Sequence, residues 1–260
     1  MTEPALVTGA ARRIGRAMTL ELARRGHDVA VHYASSRDEA EQTAAEARAL
    51  GVRAVTVQGD LLDHDAVSTL VPRAAEALGR PLGVLINNAS IFEHDDITTA
   101  TAESWDRHVG SNLKAPVFLT QAFAAQCPKG RVDAAGEPIA SGLVVNMIDQ
   151  RVRKLTPEFM TYTLAKMGLW AFTRTAAQAL APDIRVNGIG PGPTMQGARQ
   201  SPGHFADQRA ATPLGRGSDP QEICRALGFI LDAHGLTGQL LCLDGGQHLA
   251  WQTPDVLGVE

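Results

Sequence analysis

The chain has 260 residues, 44% of them hydrophobic and 20% charged, enough to bury one sizeable core and too few for two enzyme domains. A formal charge of −4 and a pI near 6.1, with no run rich in lysine and arginine, exclude the electrostatic footprint of a nucleic-acid binder. Cys127, Cys224 and Cys242 stand far apart without Cys-x-x-Cys spacing, which argues against a disulfide framework and a metal centre and predicts small apolar side chains in a reducing compartment.

In chain order, short runs rich in valine, leucine and isoleucine alternate with longer alanine-rich segments of helical period. A strand over 5–8 passes through a glycine-containing turn into a helix over 13–25. Strand 28–32 precedes helix 37–50, strand 53–57 precedes helix 63–78, and strand 83–87 precedes one long helix, 102–126. The stretch 128–141, rich in glycine and charge, reads as a solvent-exposed insertion before strand 142–147, helix 160–180 and strand 184–189. A second irregular stretch, 190–219, follows a strand end, where open α/β sheets bind ligands, and reads as a substrate loop. Helix 220–232 and strand 239–243 complete the series, and 252–260 is an added tail, for which Trp251 is a candidate anchor on a neighbouring subunit. This alternation predicts an α/β fold, a Rossmann-type doubly wound parallel sheet of seven strands with helices on both faces, as a single domain over 1–260. With no apolar run near about 18 residues and no basic-then-apolar leader, a cytoplasmic protein without a membrane span is expected.

The first turn reads Thr8-Gly9-Ala10-Ala11-Arg12-Arg13-Ile14-Gly15. Glycines between a first strand and a first helix let backbone approach a pyrophosphate, which the helix N-terminus favours through its free N–H groups and dipole. The second strand ends in His32-Tyr33-Ala34-Ser35-Ser36-Arg37. An NAD enzyme of this architecture commonly places a carboxylate here for the ribose hydroxyls. Hydroxyls and a cation stand there instead, with Arg12 or Arg13 within reach, so a ribose 2′-phosphate is expected and NADPH/NADP+ is favoured over NAD. Ser36 is equally placed to cap the following helix. Asp60, beside Leu61, is positioned either to accept from an adenine amino group or to cap a helix. Asn87-Asn88-Ala89-Ser90 closes the fourth strand with small and amide side chains that let backbone lie against a cofactor.

Tyr162 and Lys166 are four residues apart, on one face of a helix, where an ammonium can favour the ionised phenol and make it a proton carrier near neutral pH. Thirteen residues before the tyrosine stands Asp149. Asn112 lies in an otherwise apolar helical stretch, where an amide bends the helix or binds water. Phe92 follows a strand end, and Asp95 and Asp96 lie in a polar segment where solvated side chains are expected.

Taken in order, the turn from Thr8 to Gly15, Asn87-Asn88-Ala89, Asn112, Tyr162 with Lys166, and Pro191-Gly192 resemble the short-chain dehydrogenase/reductase family over essentially the whole chain. The resemblance implies a nicotinamide cofactor touching Gly9, Arg12, Arg13, Ile14, Gly15, His32, Tyr33, Ser35, Ser36, Asp60, Leu61, Asn88, Ala89, Ser90, Pro191 and Gly192 as well as the catalytic pair. It implies Tyr162 as proton donor, Lys166 as ribose ligand that lowers the tyrosine pKa, Asn112 as support for a proton-relay water, and a homotetramer or homodimer. Two positions depart from the family pattern: Arg13 replaces a glycine and Asp149 replaces a serine. Both departures, together with His32-Tyr33, Asn87 to Phe92 and Asn146-Met147-Ile148-Asp149, resemble the pteridine reductase branch and the related bacterial dihydromonapterin reductases. That branch implies a pterin-like small-molecule substrate sandwiched between Phe92 and the nicotinamide, with Arg13, Ser90, Asp149 and Tyr162 contacting it.

A carboxylate only accepts hydrogen bonds, so Asp149 suits an N–H-rich heterocycle better than a simple ketone. The expected activity is therefore NADPH-dependent reduction of a dihydropterin, such as dihydromonapterin, dihydrobiopterin or dihydrofolate, to the tetrahydro form. Carbonyl reduction of a ketone, sugar or 3-oxoacyl substrate is the first rival. A non-catalytic NADP(H)-sensing protein is the second, disfavoured by the intact tyrosine, lysine and asparagine set.

Overall fold

Neighbouring residues of a strand point to opposite faces of a sheet, so a strand that is apolar throughout must be covered on both sides. The computed structural model describes residues 2–197 and 200–252 and shows that covering. The elements in order are β1 (Ala5–Val7), α1 (Arg13–Arg24), β2 (Val29–Tyr33), α2 (Arg37–Ala49), β3 (Ala54–Gln58), α3 (His64–Leu78), β4 (Val84–Asn87), α4 (Ala102–Val109) and α5 (Ala115–Gln126). They continue with β5 (Arg131–Val132), β6 (Pro138–Ile139), β7 (Gly142–Met147), α6 (Met160–Leu180), β8 (Ile184–Pro191), α7 (Pro202–Ala210), α8 (Pro220–Asp232) and β9 (Leu240–Leu243). Ala5, Val7, Val29, Val31, Val84, Ile86, Leu143 and Val145 face one buried cluster, filled by Met18, Leu22, Ile223, Leu227 and Ile230 from α1 and α8. The intervening Leu6, Ala30, Leu85 and Val144 face the other, filled by Leu70, Leu78, Leu119, Phe123 and Ala177 from α3, α5 and α6.

The seven long strands are all parallel, in the order β3-β2-β1-β4-β7-β8-β9. The chain winds outward from β1 to β3, then returns to lay β4 against the other side of β1, so the winding reverses between these two strands. Their carboxyl ends open into the crevice where α/β sheets bind ligands. The predicted Rossmann-type doubly wound sheet is thus present, with each strand at its expected place.

Three expectations change in detail. The helix expected over 102–126 is interrupted by a widened π turn, Gly110–Lys114, between α4 and α5. Pro116 has no N–H to give to the carbonyl of Asn112, which removes one α-helical hydrogen bond at that turn. The insertion over 128–141 holds the small exposed hairpin β5–β6, and the loop over 190–219 begins inside β8 and carries α7. Trp251 is exposed, and the tail beyond Gln252 lies outside the described residues, as does the anchoring assigned to it. Among the described residues no helix is long and apolar enough to cross a membrane.

Candidate active site

The crevice begins at the turn after β1. Gly9 takes φ +60°, and a Cβ on Gly15 would stand 2.2 Å from the Gly9 carbonyl oxygen and 2.5 Å from Nδ2 of Asn88, so backbone here packs without room for a side chain. The Thr8 hydroxyl accepts from the Asn88 and Ala89 N–H groups at 2.9 and 3.0 Å, and Asn88 Nδ2 donates to the Thr8 carbonyl at 2.8 Å. The turn and the end of β4 are therefore one piece. The free N–H end of α1 lies at this turn, with no acidic side chain in its first turn and no side-chain cap at Arg12, a cradle fitted to a pyrophosphate.

His32 was expected to touch the cofactor. Its ring is instead 1% exposed, lying behind the turn: Nδ1 accepts from the Gly9 N–H at 3.0 Å and Nε2 donates to the Gly59 carbonyl at 2.9 Å. Each nitrogen is committed, which fixes a neutral tautomer. Burial holds its pKa down to about 4, against the weaker pull of the Gly59 hydrogen bond. An unfolded histidine titrates near 6.5, so between those values the unfolded chain takes up a proton that the native ring refuses, and stability falls as pH drops through that window. The full effect is about 3 kcal/mol. Chemical denaturation between pH 7 and pH 4.5 is expected to show this slope, and His32→Asn, which keeps an acceptor for Gly9 but cannot titrate, is expected to lose it. An unchanged slope in the variant would assign the acid sensitivity elsewhere.

Beside the turn, the Arg12 guanidinium donates to the Ser36 hydroxyl and pairs with Glu39 at 3.4 Å. Ser36 stands at the N-cap position of α2 without capping it, so its hydroxyl serves the arginine instead. Ser35 and Arg37 are exposed at the same corner, next to the half-buried Tyr33. Asp60 does not cap α3, a task taken by Asp63; its Oδ1 closes a turn by accepting from the Leu62 N–H at 2.9 Å, beside the buried Leu61. Arg13 adopts φ +56°, the left-handed region that a glycine would occupy freely. Its guanidinium spans the cleft and donates to the Met195 and Gln196 carbonyls at 3.1 and 2.8 Å, tying the first turn to the substrate loop. At the start of that loop Pro191 ends β8, and Gly192 is pressed so closely against Asp244 that a Cβ would come within 2.6 Å of its Cα.

The reacting groups lie across β7 and α6. Asp149 follows β7, with Oδ1 accepting from the Arg151 N–H at 2.9 Å and Oδ2 accepting from the Tyr162 phenol at 2.8 Å. Burial pushes the Asp149 carboxyl up, and burial together with the adjoining carboxylate pushes the Tyr162 phenol well up. Both groups hold protons more tightly than usual. Lys166 is 2% exposed, donates to the Met147 carbonyl at 2.7 Å and lies 5.7 Å from the Tyr162 ring centre. Burial brings its pKa down to about 8, with Asp149 opposing. Burial and the adjoining carboxylate thus act on the phenol in the sense opposite to the lowering expected from Lys166.

Asn112 sits in the widened turn, its Oδ1 accepting from the Ile91 N–H at 2.9 Å and its Nδ2 donating to the Ile91 carbonyl at 2.8 Å. The amide thereby clamps the segment that presents Ser90 and Phe92. Ser90 is exposed, its hydroxyl donating to the Ile91 carbonyl at 3.4 Å. Phe92 is 49% exposed, edge-on to Tyr162 at 4.7 Å and stacked face to face on Phe159 at 4.3 Å, with the rings 3° from parallel. Phe159, three residues before the tyrosine, is itself held at φ +56°.

Asp95, expected in solvent, is 2% exposed. It accepts from the Thr161 hydroxyl, from the Thr161 N–H at 3.1 Å and from Ser104 at 3.0 Å, while its own carbonyl accepts from the Met160 N–H at 3.2 Å. His108 extends the network, donating from Nδ1 to the Thr161 hydroxyl at 2.7 Å and accepting at Nε2 from the Glu93 N–H. These groups satisfy the free N–H end of α6 and set the register of Tyr162. Asp96, also expected in solvent, is half-buried, its Oδ1 accepting from the Thr98 and Thr99 N–H groups at 2.7 and 2.9 Å.

Residues 9–248 match the family described as enoyl-(acyl carrier protein) reductase. The 3-oxoacyl-[acyl-carrier-protein] reductase FabG of Staphylococcus aureus (strain N315) is 30% identical over 254 residues, covering 96% of this chain and 99% of that one. Among solved structures, FolM alternative dihydrofolate reductase 1 from Brucella suis in complex with NADP is 45% identical, with a TM-score of 0.90 and 98% of each chain covered. Its counterpart from Brucella canis, complexed with NADP, is 43% identical with a TM-score of 0.89, covering 99% of this chain and 98% of that one.

Proposed function

The chain belongs to the short-chain dehydrogenase/reductase family of oxidoreductases, and we propose that within it the chain is an NADPH-dependent pterin reductase, taking a dihydropterin to the tetrahydropterin. The observation that carries this reading is the Tyr162 phenol donating to Asp149 beside the exposed ring of Phe92. Likeness to the two NADP-bound Brucella proteins supports it, while FabG supplies the rival, reduction of a 3-oxoacyl ketone.

The Gly9–Gly15 cradle fits a pyrophosphate, and Arg12, Ser35, Ser36 and Arg37 fit a 2′-phosphate. When bound, the dinucleotide supplies a hydride. The remaining task is delivery of one proton to the ring nitrogen next to the carbon that receives the hydride, and the tyrosine–aspartate pair is built for it. Asp149 accepts but cannot donate while ionised, so it orients the phenol and accepts from amine or amide N–H groups of a pterin. Phe92 offers a flat face to a conjugated ring. Lys166, buried beside the pair, keeps a positive charge at the site below about pH 8 and in this reading binds the nicotinamide ribose. Arg13 reaches from the cofactor turn to the Met195–Gln196 carbonyls, and in this reading it touches both cofactor phosphate and substrate.

Purified protein is expected to oxidise NADPH with dihydromonapterin, dihydrobiopterin or dihydrofolate and to leave a panel of ketones and 3-oxoacyl thioesters untouched. Turnover of the ketones alone would replace the pterin reading by the rival, and no turnover with either would favour an NADPH sensor. The reading also carries a homotetramer or homodimer, with the exposed Phe229 on α8 and the edge strand β9 as the surface for a second copy; a monomer in light scattering would remove that element.

A further inference from the structure

We propose that Arg151 selects substrates by charge, its guanidinium holding a carboxylate on the side chain of the pterin, so that acidic pterins of the pteroylglutamate class are favoured over pterins with uncharged polyol side chains. This rests on the pterin reading above and deepens it.

Arg151 is joined to the reacting groups at its backbone, whose N–H donates to Asp149 at 2.9 Å. Its side chain turns over the aromatic pair: the guanidinium carbon is 4.8 Å from the ring centre of Phe159, which stacks on Phe92. A cation, two parallel rings and the Tyr162–Asp149 pair thus form one continuous wall. Phe159 covers one face of Phe92, so a flat ring takes the other, and under this proposal its substituent runs past the edge of the aromatic pair to the cation.

The guanidinium is also underused. Among the described residues its one hydrogen-bond acceptor is the Thr156 hydroxyl at 2.6 Å and no carboxylate forms an ion pair with it, although its charge acts on the buried Asp149. Most other arginines near the chain's surface are paired, as Arg12 is with Glu39, Arg25 with Asp232 and Arg107 with Glu93. Of the other cations in the same segment, Arg153 turns away to the Leu240 carbonyl at the edge of the sheet. In a chain of net charge −4, an unpaired, half-buried arginine on the wall of the candidate site is a local attraction for an anion, and a planar guanidinium is matched to a carboxylate.

The test compares kcat/KM for dihydrofolate with kcat/KM for dihydrobiopterin, which lacks a carboxylate. In Arg151→Met, which keeps an apolar stem over Phe159, the ratio of the two is expected to fall about fivefold to tenfold, mainly through the KM for dihydrofolate. Arg151→Lys, which keeps the charge, is expected to restore most of the ratio, and added salt to lower it in the unmodified enzyme. A ratio unmoved by Arg151→Met, or lowered equally by Arg151→Lys, overturns charge selection while turnover of dihydrobiopterin upholds the pterin reading. If neither pterin is turned over, the pterin reading fails and charge selection fails with it.

Discussion

Replacing Tyr162 by phenylalanine is expected to lower kcat by roughly a hundredfold to ten-thousandfold while changing the NADPH Kd by less than about threefold. The phenol is the proton carrier nearest Asp149, and its removal leaves the carboxylate without the donor now held at 2.8 Å. The ring itself survives in Tyr162→Phe, so its edge contact with Phe92 is retained and the fold is not asked to fill a cavity. Single-turnover kinetics with binding measured by fluorescence separates the two effects, and a variant with unmodified turnover would assign the acid to another group. In the unmodified enzyme, kcat is expected to fall as pH rises past about 8. Burial brings the Lys166 ammonium down to about 8, so above that value Lys166 loses its positive charge, whereas burial and the adjoining carboxylate hold the Tyr162 phenol protonated.

Asp149→Ser is expected to exchange one substrate class for another. The serine hydroxyl donates as well as accepts, which a ketone oxygen requires and an ionised carboxylate cannot provide. Pterin turnover is expected to fall by about a hundredfold, as when a positioned acid–base partner is lost, and reduction of a simple ketone to become measurable. Both activities are read on one preparation, so poor folding, which lowers both, is told apart from a change of preference. Asp149→Ser enzyme that reduces dihydropterins at the original rate would leave the aspartate without the part assigned to it.

Much of the fold was legible because a strand buried on both faces is written as a continuous apolar run, and seven such runs separated by helical segments admit few arrangements. The boundaries were less so: the widened turn at Asn112, which packs against α6, interrupts a stretch whose period reads as one helix. The motif residues Gly9, Gly15, Asn88, Asp149, Tyr162 and Lys166 do meet at one crevice. Others lie in the expected neighbourhood with partners the sequence did not show. His32 supports the cofactor turn from behind, Asp60 closes a turn, and Asp95 is buried under the start of α6. Burial is the reason in two of these, since a polar residue near a strand end looks the same in sequence whether its partners are water or buried N–H groups.

Two members of the site, Phe159 and Arg151, left no local signal except a short distance in sequence from Tyr162 and Asp149. Their meaning comes from the approach of the segment before α6 to the end of β4, which places Phe159 on Phe92. By itself, then, the sequence determined the sheet, the phosphate-binding turn and the chemical kinds of the reacting residues, because these depend on periodicity, on glycine's missing side chain and on spacing along one helix. The tertiary structure alone decided which way the carboxylate pulls the tyrosine pKa, which histidine and aspartate are buried, and which arginine overlooks the aromatic wall, because charge, burial and stacking depend on distances between segments far apart in the chain.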